Sequence, residues 1–203
     1  MRRHPRAVRR WIERASGFSL LETVFVVALT GVIMAIAIPM SGNALGFFRL
    51  SGDARSAANG IALAKMRASS VFSRVRLFVD LSSQSYHLET WNKATSAWTA
   101  EGSNNRLSSR VSFGFGSVPT PPPNTQTTIG QAPACQDNSG SDIGNTACVV
   151  FNTRGVPIDG TGAPTVDALY LTDGTAVYGV TVSASGMVRM WRTPPSSASW
   201  VLQ

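Results

Sequence analysis

Ionisable side chains vanish from one long stretch of this sequence. Between Phe18 and Met40 only Glu22 can carry a charge. Cysteine is limited to Cys135 and Cys148, and beyond residue 17 the only histidine is His87, which is short of a four-ligand structural zinc site. No Gly-rich phosphate loop of the P-loop type occurs, so the chain is not the ATPase of a nucleotide-driven machine. Nothing assembles a catalytic site, which points to a non-enzyme that needs no cofactor. His87 falls at a strand position, where a surface or half-buried structural role is expected. No internal repeat is visible.

What remains bounds the chain further. It has 203 residues, and once a leader and an apolar segment take the first forty, one globular domain of ordinary size is left. The formal charge of +7 is misleading as a nucleic-acid signal. Residues 1–17 hold six arginines against Glu13, and the remaining twelve basic and ten acidic residues leave only +2.

Residues 18–40, at roughly 1.5 Å of rise per residue, cover the ~30 Å hydrocarbon thickness of a bilayer. Arg2, Arg3, Arg6, Arg9, Arg10 and Arg14 precede them and hold the amino end in the cytoplasm, so the rest faces outward. Two cut sites are open at this point. Ser41-Gly42-Asn43-Ala44 is a weak ordinary signal-peptide site after the apolar core. Cleavage after Gly17 would instead remove the basic leader and keep the apolar helix. A carboxylate at the bilayer centre costs at least ~2.5 kcal/mol, so Glu22 needs a partner.

The segment GFSLLETVFVVALTGVIMAIAIP resembles the class III signal of type IV prepilins and type II secretion pseudopilins. The resemblance implies a prepilin peptidase that cuts between Gly17 and Phe18 and methylates the new amino terminus at Phe18. Glu22 then takes the fifth mature position, where that family has its glutamate, and Gly31 and Pro39 coincide with a family glycine and proline. It also implies a partner for Glu22 in assembly: the mature amine of its own chain or of a neighbouring subunit.

Beyond Pro39, Ala54, Ala57, Ala58, Ile61, Ala64, Ala68 and Phe72 recur at three- and four-residue spacings and predict the buried face of an amphipathic helix over 41–73. A continuous helix over 18–72 would run roughly 80 Å, so its amino-terminal half is expected to protrude. Pro39, Gly42 and Gly46 predict a kink or a weak stretch. The exported domain, 74–203, reads as β: a hairpin at 75–81 and 86–91, then strands at 107–115, 147–153, 168–172, 176–184 and 187–192, the last two joined by Ser185-Gly186. Residues 116–146 are rich in Pro, Thr, Asn, Gly and Ser and read as a long exposed, disordered-looking loop. An oxidising compartment favours a Cys135–Cys148 disulfide, which would contribute roughly 3 kcal/mol. Asp137-Asn138-Ser139-Gly140-Ser141-Asp142 has the oxygen-rich look of a calcium loop without the EF-hand spacing, so a flexible polar loop is expected and no metal site is assigned.

The expected fold is therefore α+β and pilin-like, with a long N-terminal helix packed on an antiparallel β-sheet. Trp91 and Trp98, Val149-Val150-Phe151 followed by Arg154-Gly155, and Gly186-Met187-Val188-Arg189 resemble the H-type minor pseudopilins and FimT-type minor pilins. That resemblance implies a structural subunit of a secretion pseudopilus or type IV pilus. Its partners would be the prepilin peptidase, other pilins or pseudopilins, and inner-membrane lipid, with the carboxyl-terminal domain periplasmic. The alternative is a DNA-binding minor pilin for DNA uptake. Some FimT-type pilins use a Gly-Arg-x-Arg motif, whose first arginine is replaced here. Arg189, Arg192 and Arg154 are the candidate contacts, with Arg189 on the strand face of Trp191, and Arg67 and Arg74 are expected on one helical face.

Overall fold

The computed structural model describes residues 19–203, and for 38–44 the backbone alone. The leader expected at 1–17 and the Gly17–Phe18 junction lie outside the described residues. The chain divides into two units, Met1–Asn43 and Ala44–Gln203. Helix α1, Leu20–Ser70, begins in the first and ends in the second. Pro39, Gly42 and Gly46 do not terminate it.

In the first unit, Leu20–Ala37 is long and apolar enough to cross a membrane, and none of it is buried in protein. In the second, α1 buries Leu50, Ala54, Ala57, Ile61, Ala64 and Ala68, a three-and-four spacing that makes one continuous face. Four of these six are alanine, and Gly60 extends the principle. A methyl group there would come within 3.1 Å of Leu77, so its absence lets the helix lie close on the strands. Phe72 is a correction to the predicted face: α1 stops at Ser70, Phe72 turns left-handed at φ 49, and its ring is 72% exposed. Arg74 likewise lies beyond the helix, so it shares no helical face with Arg67.

Nine strands follow, all paired antiparallel, and the fold is α+β with the helix packed on sheet. They are β1 Val75–Asp80, β2 Ser85–Asn92, β3 Ala97–Arg106, β4 Ser112–Phe113, β5 Thr146–Phe151, β6 Asp167–Thr172, β7 Val177–Val182, β8 Val188–Thr193 and β9 Val201–Leu202. They form two sheets where one was expected, ordered β3-β2-β1-β5 and β4-β6-β7-β8-β9. The α1 face meets Val75, Leu77, Val79, Val149 and Phe151 of the first sheet and Leu169, Leu171, Tyr178, Val180 and Val182 of the second in one core. Each fully buried Leu, Ile or Phe side chain there is worth about 1.5–3 kcal/mol.

The strand expected at 107–115 shrinks to two residues, because Val111 N–H closes a turn onto the Ser108 carbonyl and Arg110 takes φ 71. Strand β3 was not predicted at all. It is an exposed polar edge without an apolar alternation, held by its ladder to β2 and by the Trp91–Trp98 pair.

The segment expected as an exposed loop has no strand of its own between Phe113 and Thr146 but covers both sheets. It first crosses the outer face of the second, where Val118 packs with Ala168, Tyr170, Val177, Phe115, Ile129 and Trp200. Gln131 there bonds Tyr170 through both ends of its amide, donating to the carbonyl at 2.8 Å and accepting the N–H at 2.9 Å. It then passes to the first sheet, where the Cys135–Cys148 disulfide (S–S 2.01 Å) joins it to β5.

Candidate functional site

Three places collect the residues that sequence reasoning marks. The first is the start of α1. Ser19 precedes the first helical turn, and its Oγ accepts the Glu22 N–H at 3.2 Å, satisfying one of the donors a helix start leaves free. Ser19-Leu20-Leu21-Glu22 has the Ser-x-x-Glu spacing of a capping box, a signal the sequence reading passes over. Glu22 stands in the first turn, where the helix dipole favours an anion. Its side chain is exposed, and among the described residues no hydrogen bond or ion pair holds its carboxylate. Gly31 and its neighbours expose only small and aliphatic groups to the surroundings of this segment.

The second is the outer face of the first sheet. Alternation along β1 sends Val75, Leu77 and Val79 into the core and Arg76 and Phe78 outward. Arg76 is nonetheless only 3% exposed, because the disulfide-joined loop lies over it. Its guanidinium donates to Glu89 at 2.6 Å and to the Gln136 carbonyl at 2.6 Å, and lies 4.1 Å over the Trp98 ring. Burial lowers its pKa, against the neighbouring Glu89 carboxylate, which raises it. Arg74 lies 4.5 Å over Trp91, and the two indoles meet edge to face at 5.2 Å. His87 stacks on Phe78 at 5.0 Å and bonds Glu89 at 3.1 Å, the half-buried structural role expected for it. Asp137 uses Oδ1 on Ser139 and Ser141 within its own turn, and first the Ser139 hydroxyl, then the backbone N–H groups, hold its pKa below the ordinary range. Among the described residues no group of three His, Cys, Asp or Glu side chains is placed to hold a metal ion.

The third is the β7–β8 end. Arg189 is exposed and lines a shallow groove with Thr181, Met187 and Asn124. Arg192 is also exposed but lies 5.2 Å over Phe47 of α1, so the two arginines occupy opposite faces of β8. Trp191, expected as a stacking partner beside Arg189, is buried and donates its indole N–H to Thr181 Oγ1 at 3.0 Å. It has no free face to offer a base. Arg154 sits exposed in the turn after β5. Gly186, the first residue of the broken motif, is explained by packing. It takes φ +77, a Cβ there would lie 2.5 Å from the Gly155 carbonyl oxygen, and its own carbonyl accepts Lys65 Nζ at 2.9 Å. Arg67, expected near Arg74, forks onto Glu101 at 2.9 and 3.2 Å.

No protein-family model matches the chain, and no curated protein matches it. Among the solved structures similar to it are two of the minor pseudopilin EpsH from the type II secretion system of Vibrio cholerae. Each is 12% identical over 72% of this chain. They are matched over 98% and 97% of their own lengths, at TM-scores of 0.46 and 0.44.

Proposed function

We propose that this chain is a minor pseudopilin or minor pilin, a structural subunit cut after Gly17, methylated at Phe18 and assembled into a filament through α1. One observation carries the reading. Glu22 is the lone charge of an apolar segment that can span a bilayer, and no group in the described chain pairs with it. A carboxylate held in lipid requires a partner, and a freshly exposed amine at Phe18, of the same chain or of a neighbouring subunit, supplies one. The arginine-rich leader places the amino end in the cytoplasm and the second unit in the periplasm, the compartment that suits a Cys135–Cys148 disulfide. The resemblance of the signal segment adds the peptidase and the other filament subunits as partners.

DNA uptake has less support. The mature charge is +2, Arg189 and Arg192 face apart, and Trp191 is enclosed. Salt-sensitive DNA retardation that disappears on Arg189→Gln would reinstate it.

The deciding measurement is the mass of the mature amino-terminal peptide together with recovery of Glu22→Ala in sheared filaments. We expect a peptide beginning with methylated Phe18, normal processing of the variant, and a loss of its incorporation by about tenfold or more, as removal of a paired intramembrane group implies. A peptide beginning at Met1 or beyond residue 40, or wild-type recovery of the variant in filaments, would refute the proposal.

A further inference from the structure

Asp167 opens β6 and is only 3% exposed, yet among the described residues its carboxylate receives no hydrogen bond and meets no cation. An isolated buried carboxylate is costly. Burial first, and then the nearby Asp159 carboxylate, push its pKa up to about 7. Its place in the fold explains the burial without explaining the charge. Asp167 lies on the strand face of Leu169 and Leu171, so the register that carries those leucines into the core carries the carboxylate inward with them.

It does not end in solid packing. Asp167 lines a cavity of about 550 Å³ whose other walls include Trp91, Trp98, Arg74 and the disulfide-joined loop. The charges around this cavity are unequal in their freedom. Arg76 is spent on Glu89 and the Gln136 carbonyl. Asp137 and Asp159 each use one oxygen to close their own turns, Asp159 accepting from Thr161 and Ala163. Arg74 lies over Trp91 and is the remaining cation of the lining, set against the carboxylates of Asp137, Asp142, Asp159 and Asp167. The balance is negative. The Asp167 end has two unengaged oxygens side by side, the acceptor geometry that a guanidinium fork matches.

We propose that this cavity receives an arginine side chain of a partner protein, with Asp167 as the buried acceptor carboxylate and the Trp91 and Trp98 indoles as its apolar wall. The inference stands on the second unit alone and does not depend on the filament reading. The incoming guanidinium supplies the hydrogen bonds that Asp167 lacks, in a partly enclosed site where a charge-assisted bond gains more than in open water. A neutral donor would satisfy the oxygens but not the unbalanced charge.

The test uses the full chain in detergent micelles and a defined probe, Nα-acetyl-arginine methylamide, with its uncharged citrulline counterpart. Binding is read from the indole N–H resonances of Trp91 and Trp98 and from the Asp167 carboxyl carbon. We expect saturable shifts with the arginine probe, binding weaker by about tenfold or more with citrulline, and a similar loss in Asp167→Asn, which keeps the shape of the side chain. Affinity should rise about tenfold between pH 6 and pH 8 as Asp167 ionises and be flat in the variant. The other charged groups lining the cavity are Arg74, Arg76, Asp137, Asp142 and Asp159, of which Asp137 and Asp159 are held below the ordinary carboxylate range by hydrogen bonds, and no histidine is among them. Equal binding of the two probes, tight binding by Asp167→Asn with a native spectrum, equal or tighter binding of the lysine counterpart, or no saturation would each overturn the assignment.

Discussion

At the scale of single residues, two buried ionisable groups stand in opposite situations, one without a partner and one paired, and each fixes a consequence for stability. Asp167 has a folded-state pKa raised to about 7, so the native protein holds a proton there that the unfolded chain releases near 4. The stabilisation this confers is complete below the unfolded value and disappears as pH rises through 7. Asp167→Asn removes the titration. Its stability should be flat from pH 6 to pH 8 where the wild type declines, and at pH 8 it should exceed wild type by on the order of 2 to 4 kcal/mol in urea unfolding. Equal slopes for the two proteins would show that Asp167 is solvated. Arg76 is the converse case, since it is buried but paired. Glu89→Gln leaves its guanidinium with an amide and one carbonyl, so a loss of about 2 to 4 kcal/mol is expected from a pair whose disruption strands a charge. The double variant Arg76→Met with Glu89→Leu should recover much of that loss in the same denaturation experiment.

At the scale of elements, the segment between β4 and β5 shows how composition misleads. Its Pro, Thr, Asn and Gly content reads as solvated chain, yet it covers the outer faces of two sheets through a few placed groups: Val118, the Gln131 amide, the Gln136 carbonyl and Cys135. The disulfide spans 13 residues, so reduction should cost about 3 kcal/mol in the chain-entropy model. It should also raise hydrogen exchange at Cys148, whose N–H donates to the Pro133 carbonyl, while leaving β6 and β7 protected. A reduced protein with unchanged melting and exchange would show that the other contacts hold the segment without the bridge. Legibility follows from the kind of signal. The α1 face is readable because Ala54, Ala57, Ile61, Ala64 and Ala68 repeat with the helix period, and β1, β5, β6 and β7 because Val, Leu, Phe or Tyr fill at least half of each. Strand β3 is not, because Ala97–Arg106 buries nothing by itself and is a strand only by pairing with β2. The site divides the same way. Glu22 stands out against an apolar background, whereas Asp167 before a run of apolar residues reads as an ordinary polar strand start until the tertiary fold encloses it.

At the scale of the molecule, α1 is one continuous backbone whose sequence changes character along its length. Leu20–Ala37 exposes large side chains all round, Leu21, Phe25, Val27 and Ile36 among them. From Leu50 onward the buried stripe narrows to alanine and a few larger residues, while Asp53, Arg55 and Lys65 supply charge. Among the described residues, the core of the second unit draws none from before Leu50. Removing residues 1–43 should therefore leave a protein that stays in the supernatant without detergent, unfolds in a single cooperative transition, and melts within about 5 °C of the full chain in micelles, since every described core residue is retained. The full chain, without detergent, should sediment with membranes, because the apolar surface of its first unit would otherwise face water. Calorimetry on the two proteins separates the outcomes. A large drop in melting temperature on truncation would mean that the apolar half of α1 contributes to folding the second unit, and then the second unit could not be treated as an independently stable domain.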